Sequence, residues 1–334
     1  MATVSVKKSG TGFLLEYGDV RLALDTGVKG ETTLLSHSHS DHIGGLKHAA
    51  HIIATKGTFD TWKARRSDNL RNRTEIKYGD MFGQIGANIT ALNAGHVLGS
   101  TMFHIEFHDG LTVLYTGDFN NVDSLIHKAA TPVEVDVLIT EATYGAPSWV
   151  FPKRKSVYDN ILDAATQHVD EGRIPVFLAY SLGKSQEAIA LLQSGGFRVI
   201  SGNTSIDKVC SVYKRHGVDL RHLTLRAPET TDALKDGVVI VSSSSRHTIN
   251  SMKKLYGEKA FSKIESRLEY YDLSGWTLGK FRRRGFPLSA HSDYKGLVEF
   301  AKSVNPRVAY CFTENGRTLS KHLSENGVNA VPLE

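Results

Sequence analysis

The chain has 334 residues, of which 40 % are hydrophobic and 22 % charged, and a formal net charge of +5. That length supports a substantial buried core in one large domain or two ordinary ones, and no apolar run approaches the roughly 20 residues that a membrane helix needs. The opening MATVSVKKSG lacks the apolar stretch of a secretory signal, and Cys210 and Cys311 are the only cysteines, so neither a membrane nor a disulfide framework is expected, and the setting expected is a reducing cytoplasm.

Residues 1–54 read as a meander of short strands, GFLLEY, VRLALD and TTLLSH among them, punctuated by Gly and Asp. IGGLKHAAH predicts a short helix, HIIAT a strand, and residues 58–73 an amphipathic helix rich in Arg and Lys. Further strands are expected in ANITALN, MFHIEF, LTVLY and VDVLITE. From about residue 152 the pattern changes: helices at 155–171, 183–194 and 204–216 alternate with the wholly apolar runs RIPVFLAY and FRVIS, and GVVIV follows. That alternation predicts βαβ units on a parallel sheet. A strand, a helix at 292–302, a strand and a last helix complete the chain. The net positive charge is compatible with a polyanionic partner, and its densest stretches, residues 61–80 and KFRRRGF at 280–286, are either solvated faces or phosphate contacts.

LLSHSHSDHIGG, residues 34–45, places His37, His39, Asp41 and His42 at one strand end. Imidazole nitrogen and carboxylate oxygen are the donors a borderline cation such as zinc prefers. His37 and His39 share a face of an extended segment, and Gly44 with Gly45 lets the chain turn after Asp41 and His42. The alternative is a set of surface histidines with Asp41 capping a helix. His96 in NAGHVLGS and Asp118 in YTGDFN also follow predicted strands; alone, each is as readily a turn residue. Asp25 in ALDTG either orients a histidine ligand or forms a turn.

In order and spacing these residues resemble the ligand set of the metallo-β-lactamase superfamily. The resemblance implies an α/β (α+β) fold, a four-layer αββα sandwich with a metal site along one edge. It also implies His37, His39 and His96 on one ion, Asp41 and His42 on a second, Asp118 bridging, and a hydroxide between the ions as nucleophile. The βαβ insertion, Glu141 in LITEATYG and His291 in PLSAHSDYKG resemble the β-CASP nucleases, which include RNase J, the mRNA 3′-end processing endonuclease and Artemis-type repair nucleases. The organisation expected is a core of residues 1–150 plus 278–334 with a β-CASP domain at 151–277, and a metal-dependent nuclease acting between them.

In that reading Asp41, Glu141 and His291 carry catalysis, His291 as the proton donor for the leaving group with Glu141 orienting its ring; otherwise His291 caps the helix that follows. One departure stands out. RNA-cleaving members carry a second-site histidine on the last strand, and Phe312 in VAYCFTENG occupies that place, so one zinc is expected to bind firmly and a second weakly, with manganese or magnesium as substitutes. Artemis-type members also lack this histidine, which favours DNA over RNA. Ser181 and Lys184 in AYSLGKS, Ser243 and Ser244 in VSSSSR, and Arg282, Arg283 and Arg284 are the candidate phosphate contacts. Phe281 and Trp276 are candidates for base stacking, with core packing the stronger reading for Trp276. The rival classes are a small-molecule ester or thioester hydrolase and a non-catalytic nucleic-acid-binding subunit.

Overall fold

A computed structural model describes residues 4–66, 70–84, 86–235, 237–279 and 284–333. The chain divides into two compact units, the first made of Met1–Asp123, His127–Val150 and Ala290–Glu334, the second of Ser124–Ile126 and Phe151–Ser289. Among the described residues no helix is long and apolar enough to cross a membrane.

The first unit has four layers. One sheet pairs Ser5–Ser9, Gly12–Tyr17, Val20–Leu24, Thr32–Leu34, His51–Thr55 and Arg73–Ile76 in chain order. The other runs, in spatial order, Ala330–Pro332, Val308–Phe312, Val137–Glu141, Thr112–Tyr115, Thr101–Phe107, Ala87–Asn93 and Met81–Gln84. Alternation sets the packing: in Ala87–Asn93 the buried residues Ala87, Ile89 and Ala91 meet Phe13, Leu15, Leu24 and Ile53 of the facing sheet. The central strand Val137–Glu141 is buried along its whole length because both its faces are covered. Its outward Leu138 packs with Leu297 and Phe300 of the helix Tyr294–Val304 and Leu319 and Leu323 of Gly316–Glu325, while Phe59 and Trp62 of Lys56–Arg65 cover Ile52 and Ala54 of the first sheet. This is the αββα sandwich, and both sheets send strand ends to one edge.

In the second unit every strand pair is parallel, in the order Leu223–Thr224, Arg198–Ser201, Val238–Ser242, Ile174–Leu178, Leu268–Leu273, Gly285–Phe286. After Ile174–Leu178 the chain travels through the helix Lys184–Ser194 toward one edge; after Val238–Ser242 it crosses to the other. Right-handed crossovers put those two connections on opposite faces. The carboxyl ends of Ile174–Leu178 and Val238–Ser242 therefore form a topological switch point.

Three local expectations fail for identifiable reasons. IGGLKHAAH yields only the 3₁₀ turn Leu46–His48, because Gly45 sits at φ 69° and its neighbours cannot extend the coil. The helix expected at 58–73 is Lys56–Arg65; Arg66 is extended at φ −128°, ψ 146°, which ends it, and the chain turns into the strand Arg73–Ile76. Trp276, on the 3₁₀ segment Gly275–Leu278, is 37 % exposed rather than a core residue. Gly285–Phe286 pairs with Leu268–Leu273, so the second unit runs on to Ser289.

Candidate metal centre

His37 Nε2 lies 3.0 Å from His39 Nδ1, and His96 Nε2 lies 3.1 Å from the same atom. Asp118 Oδ2 is 3.6 Å from His37 Nε2 and 3.7 Å from His96 Nε2. All four donor atoms fall within 4.8 Å of one another. Four ligands at ~2.0–2.2 Å around one tetrahedral ion would stand roughly 3.3–3.6 Å apart, so the set fits a zinc-like cation without large movement.

The hydrogen bonds behind the rings decide which nitrogens face inward. His96 Nδ1 donates to the Ala290 carbonyl at 2.9 Å, an acceptor that cannot donate back, so its Nε2 carries a lone pair. Ser36 Oγ gives its proton to Asp25 Oδ2 at 2.5 Å and so accepts from His37 Nδ1 at 2.9 Å, which leaves His37 Nε2 likewise. His42 Nδ1 donates to Asp25 Oδ2 at 2.7 Å, and its Nε2 points at Asp118 Oδ1, 3.3 Å away. The lone pairs of His37 Nε2 and His96 Nε2 both face His39 Nδ1 at 3.0–3.1 Å, so a single Nδ1 proton would have to serve two acceptors at once. A cation among them would engage all three nitrogens at once.

Charge agrees with this geometry. Burial holds His37 and His96 well below the usual imidazole range, keeping them neutral donors. For His42 burial acts downward, but the carboxylates of Asp118 and Asp25 on either side outweigh it and raise the group well above that range. Asp118 is the mirror case: burial would raise it, yet His42, His291 and His37 pull it well below the carboxylate range. The electrostatic field at His42 Nε2 thus favours positive charge.

Asp25 organises the floor. Fully buried at φ 52°, it accepts from Ser36 N at 2.6 Å, Ser36 Oγ, His42 Nδ1 and Tyr115 Oη at 2.7 Å. Gly117 is needed beside it: a Cβ there would stand 2.6 Å from Ser36, and φ is 52°. Asp41 is set apart, with an exposed side chain and its carboxylate 3.9 Å from His42 Nε2. Glu141, fully buried, accepts Phe119 N at 2.8 Å and holds His291 Nδ1 at 3.0 Å from both its oxygens, with Asp118 Oδ2 4.0 Å from that nitrogen. Phe312 packs inside the sandwich against the rings of Phe13 at 5.1 Å and Tyr115 at 5.9 Å. Sequence reasoning did not find Ser36, Tyr115, the Ala290 carbonyl, or Ser100, whose Oγ accepts from His96 N at 3.0 Å.

In the second unit, Lys184, Ser243 and Ser244 gather at the switch point and Ser181 precedes Lys184. Ser244 caps the helix Ser245–Tyr256, and Ser243 Oγ accepts from Asn203 Nδ2 at 2.6 Å. Arg284 is tied down instead, donating to Glu269 Oε2 and to Tyr271 Oη at 2.6 Å each. Arg282, Arg283 and Phe281 lie outside the described residues.

Lys184 is only 6 % exposed, with Nζ 4.4 Å from the centre of the Tyr180 ring, and burial lowers its pKa to about 8 from 10.5. Below pH 8 the buried ammonium penalises the fold in full. Between about pH 8 and 10.5 the unfolded chain binds the extra proton, so stability rises with pH, by up to about 3 kcal/mol. Lys184→Met is therefore expected to stabilise the protein by on the order of 2 kcal/mol at pH 7, a gain that vanishes above pH 10.5; urea unfolding at the two pH values measures it.

The beta-lactamase superfamily domain matches residues 15–174. The chain is 28 % identical to a probable DNA ligase of Opitutus terrae over 92 % of its own length but 29 % of that protein's. It is 28 % identical to an RNase J-like protein of Methanocaldococcus jannaschii, covering 82 % of this chain and 79 % of the relative. It is 24 % identical to the DNA cross-link repair protein pso2/snm1 of Schizosaccharomyces pombe, covering 76 % and 45 %. The chain thus spans less than a third of the Opitutus protein and less than half of the yeast one. A crystal structure of a protein of unknown function from Enterococcus faecalis V583 superposes with a TM-score of 0.67 at 13 % identity, covering 100 % of this chain and 98 % of that one, which is a likeness of fold.

Proposed function

We propose that the chain is a member of the metallo-β-lactamase superfamily, in its β-CASP branch, and that it hydrolyses phosphodiester bonds in nucleic acid, with DNA preferred. The observation that carries this is the convergence of His37, His39, His96 and Asp118 within 4.8 Å, beside a Glu141–His291 pair that shares Asp118. Zinc held there would supply Lewis acidity, acidifying water toward a pKa near 7 and offsetting phosphate charge.

The remaining work falls to the chain's own groups. Neutral His37 and His96 and the anionic Asp118 would hold the cation, and Asp25 keeps the His42 ring in register. Asp41, exposed, would join His42 and Asp118 in holding any second ion more weakly, consistent with a phenylalanine at 312. His291, its Nδ1 proton held by Glu141, protonates the leaving oxygen through Nε2. Lys184, Ser181, Ser243 and Ser244 offer a cation, hydroxyls and helix N-termini to phosphates.

Support for DNA comes from the ligase and cross-link-repair names of two relatives and from Phe312; the RNase J-like relative favours RNA as the second reading. Purified protein, stripped and reloaded with zinc, manganese or magnesium, is to be compared with Asp41→Ala on matched 5′-labelled single-stranded DNA and RNA. Metal-dependent cleavage of DNA at least ~100-fold faster than RNA, about 2.7 kcal/mol of discrimination, is expected, with Asp41→Ala slowed but still holding one zinc. The reverse ratio establishes the RNA reading. Absence of cleavage on both substrates in every metal overturns the nuclease proposal.

A further inference from the structure

At the other end of the second unit's sheet, the amino ends of Arg198–Ser201 and Leu223–Thr224 and the last turns of Lys184–Ser194 and Thr204–Arg215 border a groove of about 530 Å³. Arg198, Lys214 and Arg221 line it with Phe197, Gln193 and His222. Among the described residues Arg198 and Lys214 make no ion pair, and Arg221 Nε has only Asp219 at 3.5 Å, with both side chains about three-quarters exposed. Three cations converge on one concavity with almost no internal neutralisation.

The floor of the groove is also incomplete. The His222 side chain is 6 % exposed; its Nε2 is 3.2 Å from Asp207 Oδ1, and Asp207 in turn accepts from Ser201 Oγ. The other ring nitrogen, Nδ1, is buried and meets no hydrogen-bond partner. A buried polar atom left unpaired costs free energy that a ligand or its accompanying water recovers. Gln193 beside it is turned to other partners, its Nε2 donating to the Asp219 carbonyl and its Oε1 accepting from Arg221 N. Phe197 adds a half-buried ring, a surface on which a base can stack.

We propose that this groove is an exosite for the phosphate backbone of a single nucleic-acid strand, remote within the unit from the strand ends that carry Lys184 and Ser243. The proposal rests on the nuclease reading for its ligand. Its volume accommodates about a nucleotide and its charge pattern suits successive phosphates, whose counterions are released on binding. The separation of the groove from the switch point, about one strand length or ~15 Å, means that a strand of more than a few nucleotides is needed to occupy both at once.

The test uses the whole protein and the variant Arg198→Glu/Lys214→Glu/Arg221→Glu, with Arg198→Ala as a milder second. Anisotropy of a labelled 30-mer and a 6-mer of single-stranded DNA in EDTA, across a salt series, reads binding without cleavage. The triple variant is expected to bind the 30-mer at least tenfold more weakly and to lose roughly 2 from the slope of log K against log salt, at about 0.7 per phosphate. Binding of the 6-mer, which the groove can itself accept, is expected to weaken likewise, and hydrolysis of bis(4-nitrophenyl) phosphate is expected to be unchanged. An unaltered slope for the 30-mer overturns the exosite. So does a fall in thermal stability of both variants with no change in binding, since the cations would then only offset helix C-termini. Groove-dependent binding by a protein that cleaves no nucleic acid in any metal would sink the nuclease reading while leaving the exosite standing.

Discussion

Asp118→Asn is expected to fold, to lose its cation on mild chelation and to hydrolyse phosphodiesters at least ~10³-fold more slowly. The carboxylate is the one group shared by every part of the centre: Oδ2 faces His37 and His96, Oδ1 faces His42, and His291 Nδ1 is 4.0 Å away. Asparagine keeps the volume and removes the charge. Its amide places either an oxygen or an NH₂ toward the imidazoles, so it cannot face both His37/His96 and His42 as an acceptor. The anion that counters a divalent ion among three neutral rings is then gone. Loss of a residue that only orients a ligand costs 10–100-fold in metal affinity, and loss of the shared ligand itself should exceed that. Zinc content after dialysis against a chelator, together with kcat, checks the prediction. Full zinc retention with kcat within tenfold of wild type would mean that Asp118 is not a ligand.

The same variant reports on electrostatics without any metal. Asp118 and Asp25 together raise His42, while burial acts the other way. Removing one carboxylate shifts that balance toward burial, so the His42 resonances of the metal-free protein should titrate at lower pH in Asp118→Asn. Wild-type His42 should titrate above the usual imidazole range.

Much of this centre was legible in the chain because its donors are local: four of them occupy residues 37–42, at the end of one short strand. His96, Asp118 and Glu141 were legible because each ends or follows an apolar strand, and the two sheets carry those ends to one edge. Ser36 was not. A serine in a histidine-rich loop reads as a turn residue, and its role exists only because Asp25, eleven positions earlier, folds back to receive its proton. Tyr115 was hidden for the opposite reason: it sits in an apolar strand and packs like one, with only its hydroxyl reaching Asp25. The carbonyl of Ala290, which sets the His96 tautomer from 194 positions away, has no signature in residue type at all.

The misjudged elements have a common physical origin. Residues 58–73 carry charges at helical spacing, but helical spacing of charges does not require burial on one face, and Arg66 leaves the helix as soon as Trp62 has been packed. Phe312 was read only as a missing ligand. In the fold it is also a core residue, tilted against Phe13 and stacked on Tyr115, and so it stands behind the tyrosine that steadies Asp25.

His291→Ala separates proton donation from everything else the centre does. If His291 protonates the leaving oxygen, its loss matters in proportion to how badly the leaving group needs a proton. A deoxyribose alkoxide is a poor leaving group, and removal of a general acid costs about 10²–10⁴ in rate; a 4-nitrophenolate leaves without help. The expected result is a fall of roughly 10³-fold in kcat on DNA, less than tenfold on bis(4-nitrophenyl) phosphate, and unchanged zinc content. Glu141→Gln should follow the same pattern more weakly, because an amide oxygen still accepts from Nδ1 but no longer stabilises the imidazolium. Equal losses on both substrates would instead mean that His291 acts on the metal or on the packing around His96, whose ring lies 4.5 Å away, and the assignment of the proton to its Nε2 would fall.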